Sequence, residues 1–227
     1  MTEEPSIRTL KELENKIGSL SHTEAALDAI KHFSAGLRDS SERIGLFNAD
    51  GALVRSPISS DETRVLGFDR PDDDFRVLQG DIVGTESAYF LGERVTNSPK
   101  YAVLSSSCDL VPNRRGYAAL LRVREIRRHD PEAKAKISLL LRFKRIDSMY
   151  LPALPVDHEE VLCNVIEFDG ICQIRSCDLI LANRIASLSL VGWRIFASFS
   201  RAVIARATPR ECQMRMAIEQ DLLSFDK

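Results

Sequence analysis

The chain has 227 residues, 44 % of them hydrophobic and 28 % charged, with a formal net charge of −2. That apolar fraction excludes a disordered chain and is enough for a packed core. The near-neutral total says nothing about partners by itself, and the distribution of the charges says more.

The distribution is uneven. Residues 1–113 hold 12 Lys/Arg against 19 Asp/Glu, residues 114–145 hold 11 against 3, and the remainder 8 against 11. Positive charge is therefore concentrated in one stretch. No window approaches the roughly 20 apolar residues of a membrane span. The acidic start MTEEPSIRTLKELENK lacks the pattern of a secretory signal. Five cysteines, an odd number, fit a reducing compartment. A cytoplasmic location without membrane association is expected.

In chain order, Ile7, Leu10, Leu13 and Ile17 recur at helical spacing up to Gly18. Ser21-His22-Thr23-Glu24 has the form of a capping box, and the helix after it, to about Leu37, aligns Leu27, Ile30, Phe33 and Leu37. Gly45-Leu46-Phe47 and Ala52-Leu53-Val54 flank Asn48-Ala49-Asp50-Gly51, which predicts a hairpin over 44–54. The polar stretch through Pro57, Ser59-Ser60 and Asp72-Asp73-Asp74 reads as a connector. These features predict an N-terminal extension over 1–55, a linker over 56–75 and a main unit over 76–227.

The main unit opens with QGDIVG and continues through a polar loop into YAVLSSSCDLVPNRRGYAALLRVREIRR. Tyr101 to Leu104 is a short strand, and Ser105 to Asp109 ends it with residues that hydrogen-bond locally. After Gly116 the residues alternate, with Leu120, Arg122 and Arg124 on one face and Leu121, Val123 and Glu125 on the other. A short helix is predicted from Pro131 to about Leu141, and an extended segment around Met149-Tyr150-Leu151. Val161 to Ile166 and Ile171 to Ile174 are two further strands, with Asp169-Gly170 as a hairpin turn between them. Ser189 caps a helix through Trp193, Phe196, Phe199 and Val203. Thr208-Pro209-Arg210-Glu211 starts a last helix with Met214, Ala217, Ile218 and Leu222 as its buried stripe.

Candidate chemistry is sparse. Cys108-Asp109 at a strand end would make a nucleophile only with His129 or His158 as base, and a small buried hydrophobe is the favoured role for Cys108. Ser107-Cys108-Asp109-Leu110 recurs as Ser176-Cys177-Asp178-Leu179, too short for an internal repeat and accounted for by coincidence or a shared strand-end turn. Cys163, Cys172 and Cys177 lack zinc-knuckle spacing, so no metal is expected, and no glycine-rich phosphate loop is present. No cofactor is expected.

Taken in order, QGDIVG, AVLSSS, GYAALLRV, FKRIDSMYLPALP and DGICQIRSCDLILANRIASL, followed by a helix, resemble the MazF/PemK family over about residues 76–223. SSSCDL also resembles a strand end in a group of bacterial and phage proteins. The MazF/PemK resemblance implies an α+β protein built on an SH3-like β-barrel, with a helical N-terminal extension and C-terminal helices. It also implies a dimer and an RNA-cutting toxin. The arginine that the family places before the proline of its second strand is Ser98 here, leaving Lys100 or Arg94 as substitutes. The family's threonine or serine at the end of the third strand meets Arg124-Glu125. A rebuilt site would draw on Lys100, Arg122, Arg124 and Glu125. With both expected positions changed, the expected function is a binding or regulatory module. It engages RNA, DNA or a protein partner, as a homodimer or alone, through Lys100, Arg114, Arg115, Arg122, Arg124, Arg127 and Arg128. The alternative is an endoribonuclease toxin of a toxin–antitoxin or defence system with a rearranged site.

Overall fold

The computed structural model describes residues 8–20, 23–65, 76–95, 100–111, 113–204, 213–214 and 216–217. Helix α1 (Leu10–Ser19) begins in a capping box. Thr9 Oγ1 accepts from the Glu12 N–H at 3.2 Å, and the Glu12 carboxylate accepts from the Thr9 N–H at 3.2 Å. Gly18 lies inside this helix rather than ending it. Helix α2 (Glu24–Gly36) starts where predicted and buries Leu27, Ile30 and Phe33. Its N-cap is Thr23, whose side chain makes no capping bond and instead donates to Leu20 O at 2.8 Å. The predicted cap residue Ser21 lies outside the described residues.

The predicted hairpin over 44–54 is replaced by helix α3 (Ser40–Phe47). Asp39 caps it by accepting from the Glu42 N–H at 2.9 Å. Phe47, fully buried at its end, meets Phe33 and Phe143 edge-on. The local cap and this aromatic contact outweigh the β propensity of the flanking residues. Only β1 (Val54–Arg55) is strand. Within the predicted linker, residues form the short helix α4 (Ser60–Val65).

The sheet follows: β2 (Asp81–Gly84), β3 (Tyr89–Phe90), β4 (Glu93–Arg94), β5 (Lys100–Val103) and β6 (Tyr117–Arg127). Helix α5 (Ala133–Leu141), β7 (Ser148–Leu151), β8 (Val161–Arg175), helix α6 (Ser176–Ile180), β9 (Asn183–Leu188) and helix α7 (Leu190–Ile204) complete the chain order. The described strands form one antiparallel sheet in the order β1-β9-β2-β5-β6-β8-β3-β4, with β7 also on β8. The sheet is open, and the protein is α+β.

Asp169-Gly170 does not turn the chain. The two strands predicted around it are the single strand β8, 15 residues long. Leu121 pairs with Ile171 and Val123 with Ile166, so four residues of β8 bulge opposite Arg122. Strand β6 is long enough to pair with both halves, so the turn signal becomes a bulge that bends β8. Before the bend β8 pairs with β7, and after it with β3.

Two cores lie on opposite sides of the sheet. The smaller joins Val83, Tyr101, Val103, Ala118, Leu120, Cys172, Ile174 and Leu179. The larger takes the alternate residues, among them Ile82, Ala102, Leu121 and Val123, and packs them beneath the helices. The N-terminal helices belong to this larger core. Leu13, Ile17, Ile30 and Phe33 are buried with Ile195, Phe196 and Phe199 of α7. Ser189 caps α7 as predicted, its Oγ accepting from the Gly192 N–H at 3.1 Å and donating to Ala52 O at 2.7 Å. Gly192 is required there, because a Cβ would stand 2.2 Å from Leu53 O. Trp193 packs against the larger core, its Nε1–H donating to Gln79 Oε1 at 3.2 Å.

Of the stripe predicted on the last helix, Met214 and Ala217 are exposed, while Ile218 and Leu222 lie outside the described residues. Among the described residues no helix is long and apolar enough to cross a membrane.

Candidate functional site

The residues predicted to share one arginine face are divided by the fold. Lys100 is not at the surface. Its side chain is 5 % exposed, with Nζ 2.9 Å from both Glu125 Oε1 and Asn164 Oδ1 and in contact with Asp157, itself 2 % exposed. Asn164 also donates to Asp157 Oδ2 at 2.5 Å, and Asp157 Oδ2 accepts from the Leu154 N–H at 2.7 Å. An ammonium with three oxygen acceptors is satisfied, which makes this a buried structural cluster. Burial pushes the Glu125 carboxyl up, but hydrogen bonds from Lys100 and Arg127 outweigh it and hold the group below its ordinary range.

Arg122 is on the side of β6 that bears the smaller core, as the cross-strand partner of Tyr101, and Arg124, two residues on, pairs with Val165 of the larger core. Both guanidinium groups close on one carboxylate. Arg122 Nε donates to Glu167 Oε2 at 2.8 Å and Arg124 Nε to Oε1 at 2.7 Å. Arg127 lies 2.7 Å from Glu125, and Arg128 is exposed with its backbone N–H donating to Glu160 O at 2.8 Å. Arg114 and Arg115 stand at the other end of the strand. Arg114 donates to Cys108 O at 2.6 Å, and Arg115 Nε is 3.3 Å from Asp109 Oδ1.

That end carries residues that arginine counting missed. Tyr117 pairs with Arg175, and Tyr89 pairs with both Gln173 and Arg94. Paired residues of antiparallel strands share a face. Tyr117, Arg175, Gln173, Tyr89 and Arg94 therefore line one uncovered side of β6-β8-β3-β4. Tyr117 is 65 % exposed and Tyr89 45 %, whereas the other two tyrosines described, Tyr101 and Tyr150, are buried. Arg175 is held by Asp178 at 2.9 Å and Arg94 by Glu86 at 3.0 Å, and both remain more than half exposed. The Asp178 hydrogen bond raises Arg175 further above its already high range, with Cys177 and Tyr89 adding smaller contributions. A local sign was available in sequence: Tyr89 and Phe90 precede Leu91-Gly92, both at positive φ, the geometry of a two-residue hairpin turn.

The repeated SCDL segments are built alike. Ser107–Asp109 forms a 3-10 turn after β5, and Ser176–Ile180 forms α6 directly after β8. Each Asp holds an arginine, Asp109 with Arg115 and Asp178 with Arg175, and Leu110 and Leu179 enter the smaller core. The Ser176 hydroxyl donates to Arg115 O at 2.7 Å, tying the two turns together beside Tyr117.

Cys108 is exposed rather than buried, because its turn projects from the end of β5. His129 and His158 stand near Glu160, at the opposite end of β6 and β8, so neither is brought to Cys108. Among the described residues no group of three His, Cys, Asp or Glu side chains is placed to hold a metal ion.

A further cleft of about 310 Å³ is lined by Arg55, Gln79, Asp81, Ser107, Ser187 and Trp193. Asp81 is 1 % exposed. Burial raises its carboxyl above the ordinary range against the opposing charge of Arg184, which lies 2.8 Å away. The Ser187 hydroxyl donates to Asp81 and accepts from the Ile58 N–H at 3.0 Å, so the polar groups of this cleft satisfy one another. The chain matches no family model, no curated protein and no solved structure in comparison with known proteins.

Proposed function

We propose that this protein is a nucleic-acid-binding module that takes a single strand across the exposed face of β6-β8-β3-β4. The observation that carries the reading is the alternation on that face of two exposed tyrosines with Arg175 and Arg94. Tyrosine rings accept bases by stacking, and arginines neutralise the backbone or stack in turn. Strand spacing sets the two tyrosine backbones roughly 10 Å apart across β8, enough for separate bases. A duplex hides its base faces and cannot use such a surface.

The finer fold in this reading is an SH3-like barrel made by β9-β2-β5-β6-β8. What supports it is the strand order: four strands run as a meander and the fifth returns beside the first. The nuclease reading draws less support, since Lys100 and Glu125, two of its four residues, are bound to each other and to Asp157 or Arg127.

Fluorescence anisotropy with single-stranded and duplex RNA and DNA tests the proposal. Single strands should bind preferentially, with an affinity that falls steeply with salt. Tyr89→Ala and Tyr117→Ala should each cost about 1–3 kcal/mol, with Phe restoring the loss. Absence of saturable single-strand binding at low salt would overturn the reading. Cleavage of the strand in the same assay would restore the endoribonuclease alternative.

A further inference from the structure

The opposite side of β6 holds a second arrangement, independent of the tyrosine face. Arg122 and Arg124, each with 47 % of its side chain exposed, are held in register by the Glu167 carboxylate, which is 15 % exposed. Two guanidinium groups share one carboxylate, with Asp147 and Asp169 opposite Lys136 and Arg145 in the hollow beside Arg124. The donors of Arg122 and Arg124 point at a position that an oxyanion with several acceptors would fill as well as the carboxylate does. Glu167 is the first residue of the β8 bulge, and at Gly170, the last, an added Cβ would stand 3.7 Å from the Arg122 side chain.

A separate observation concerns the neighbouring strand β5. The Tyr101 hydroxyl is buried and has no hydrogen-bond partner, although Tyr101 is the cross-strand neighbour of Arg122. Burial, with Cys172 adding and Arg122 opposing, pushes its phenol up to about 12, so it stays a donor at neutral pH. An unsatisfied buried hydroxyl costs stability, and its retention beside two arginines is explained if an acceptor arrives there.

We infer that Arg122, Arg124 and the Tyr101 hydroxyl form a phosphate-type oxyanion site, in which Glu167 stands in at the two arginines alone until the anion displaces it and also takes up the hydroxyl. The carboxylate keeps the paired arginines ordered when the site is empty and weakens binding by competition. The anion is either free or carried by a nucleic-acid strand, since the donors read the same oxygens in both.

The test uses the full chain and inorganic phosphate at constant ionic strength, followed through the Nε–H resonances of Arg122 and Arg124 by NMR. Saturable shifts are expected. Glu167→Gln should tighten phosphate binding roughly tenfold by removing a charged competitor. Glu160→Gln, which removes one exposed negative charge elsewhere, should change it little. Tyr101→Phe should weaken binding without lowering the melting temperature, a combination that a merely structural hydroxyl would not give. Oligonucleotides with and without a 5′-phosphate separate the sources. A response only to the phosphorylated strand assigns the site to strand ends, an equal response to both assigns it to backbone phosphates, and a response to phosphate alone assigns it to the free anion. No shift at either arginine with any of these probes overturns the inference, as does equal tightening by Glu167→Gln and Glu160→Gln.

Discussion

Lys100 Nζ lies 2.9 Å from Glu125 Oε1, inside the protein, and also bonds Asp157 and Asn164. Each group satisfies another, and the cluster fastens β5 to β6, β8 and the turn before β8. Lys100→Met removes its ammonium and leaves the buried Asp157 charge to the Leu154 N–H and Asn164. The expected loss is about 3–5 kcal/mol in urea denaturation, because breaking one side of a buried pair exposes the desolvation cost of the other. The folded fraction should still bind a single strand, which separates this lysine from the binding face.

Acid stability should report the same cluster. The folded-state pKa of Glu125 is depressed below its ordinary 4.5, so the stability it contributes is present above that value and is lost as pH falls through the folded pKa. Asp147 behaves alike through Arg145. Asp81 has the opposite sign: its pKa is raised above 3.8, so its contribution is present below that value and is lost as pH rises through the folded pKa. Denaturation between about pH 3 and 6 should therefore show a smaller acid loss for Glu125→Gln than for the parent chain. Equal slopes would contradict the assignment.

Leu91 occupies the left-handed region at φ 50 and is 89 % exposed. Its side chain gains nothing from burial and strains the turn. Leu91→Asn should raise stability by about 1 kcal/mol, since asparagine accepts this conformation at lower cost. A melting experiment showing no gain would contradict the strain assigned to Leu91.

Gly192 meets the opposite situation. A Cβ there would stand 2.2 Å from the Leu53 carbonyl, which belongs to backbone and cannot swing aside. Gly192→Ala should push α7 off the segment before β1 and lower stability by about 1–3 kcal/mol, although alanine favours helix intrinsically. A thermal melt shows the sign directly.

The N-terminal helices should prove inseparable from the remainder. Ile30 is fully buried in the core shared with α7, so Ile30→Ala should cost about 2–5 kcal/mol. Residues 56–227 expressed alone should aggregate or melt without a cooperative transition, because Phe196 and Phe199 would lose part of their cover.

Much of the local structure was legible in sequence because its causes are local. The stripe Leu27, Ile30, Phe33 announced α2, Ser189 announced the start of α7, and Met149-Tyr150-Leu151 lay in β7 as expected. Alternation after Gly116 showed that β6 has two different faces. It could not show which stretch of each face a helix covers, and that decided the candidate site. Leu121 is buried and Tyr117 exposed on the same side of one strand, because α7 and the N-terminal helices cover only part of it. Likewise Asp169-Gly170 carries the chemistry of a turn, yet pairing with the long β6 made it a bulge and brought Glu167 to Arg122 and Arg124. Residue type made Lys100 a surface cation, and the acids of β6 and of the turn before β8 drew it inside. Periodicity and capping act within a few residues and can be read along the chain. Burial and charge pairing depend on which strand arrives alongside, and only the tertiary structure settles that.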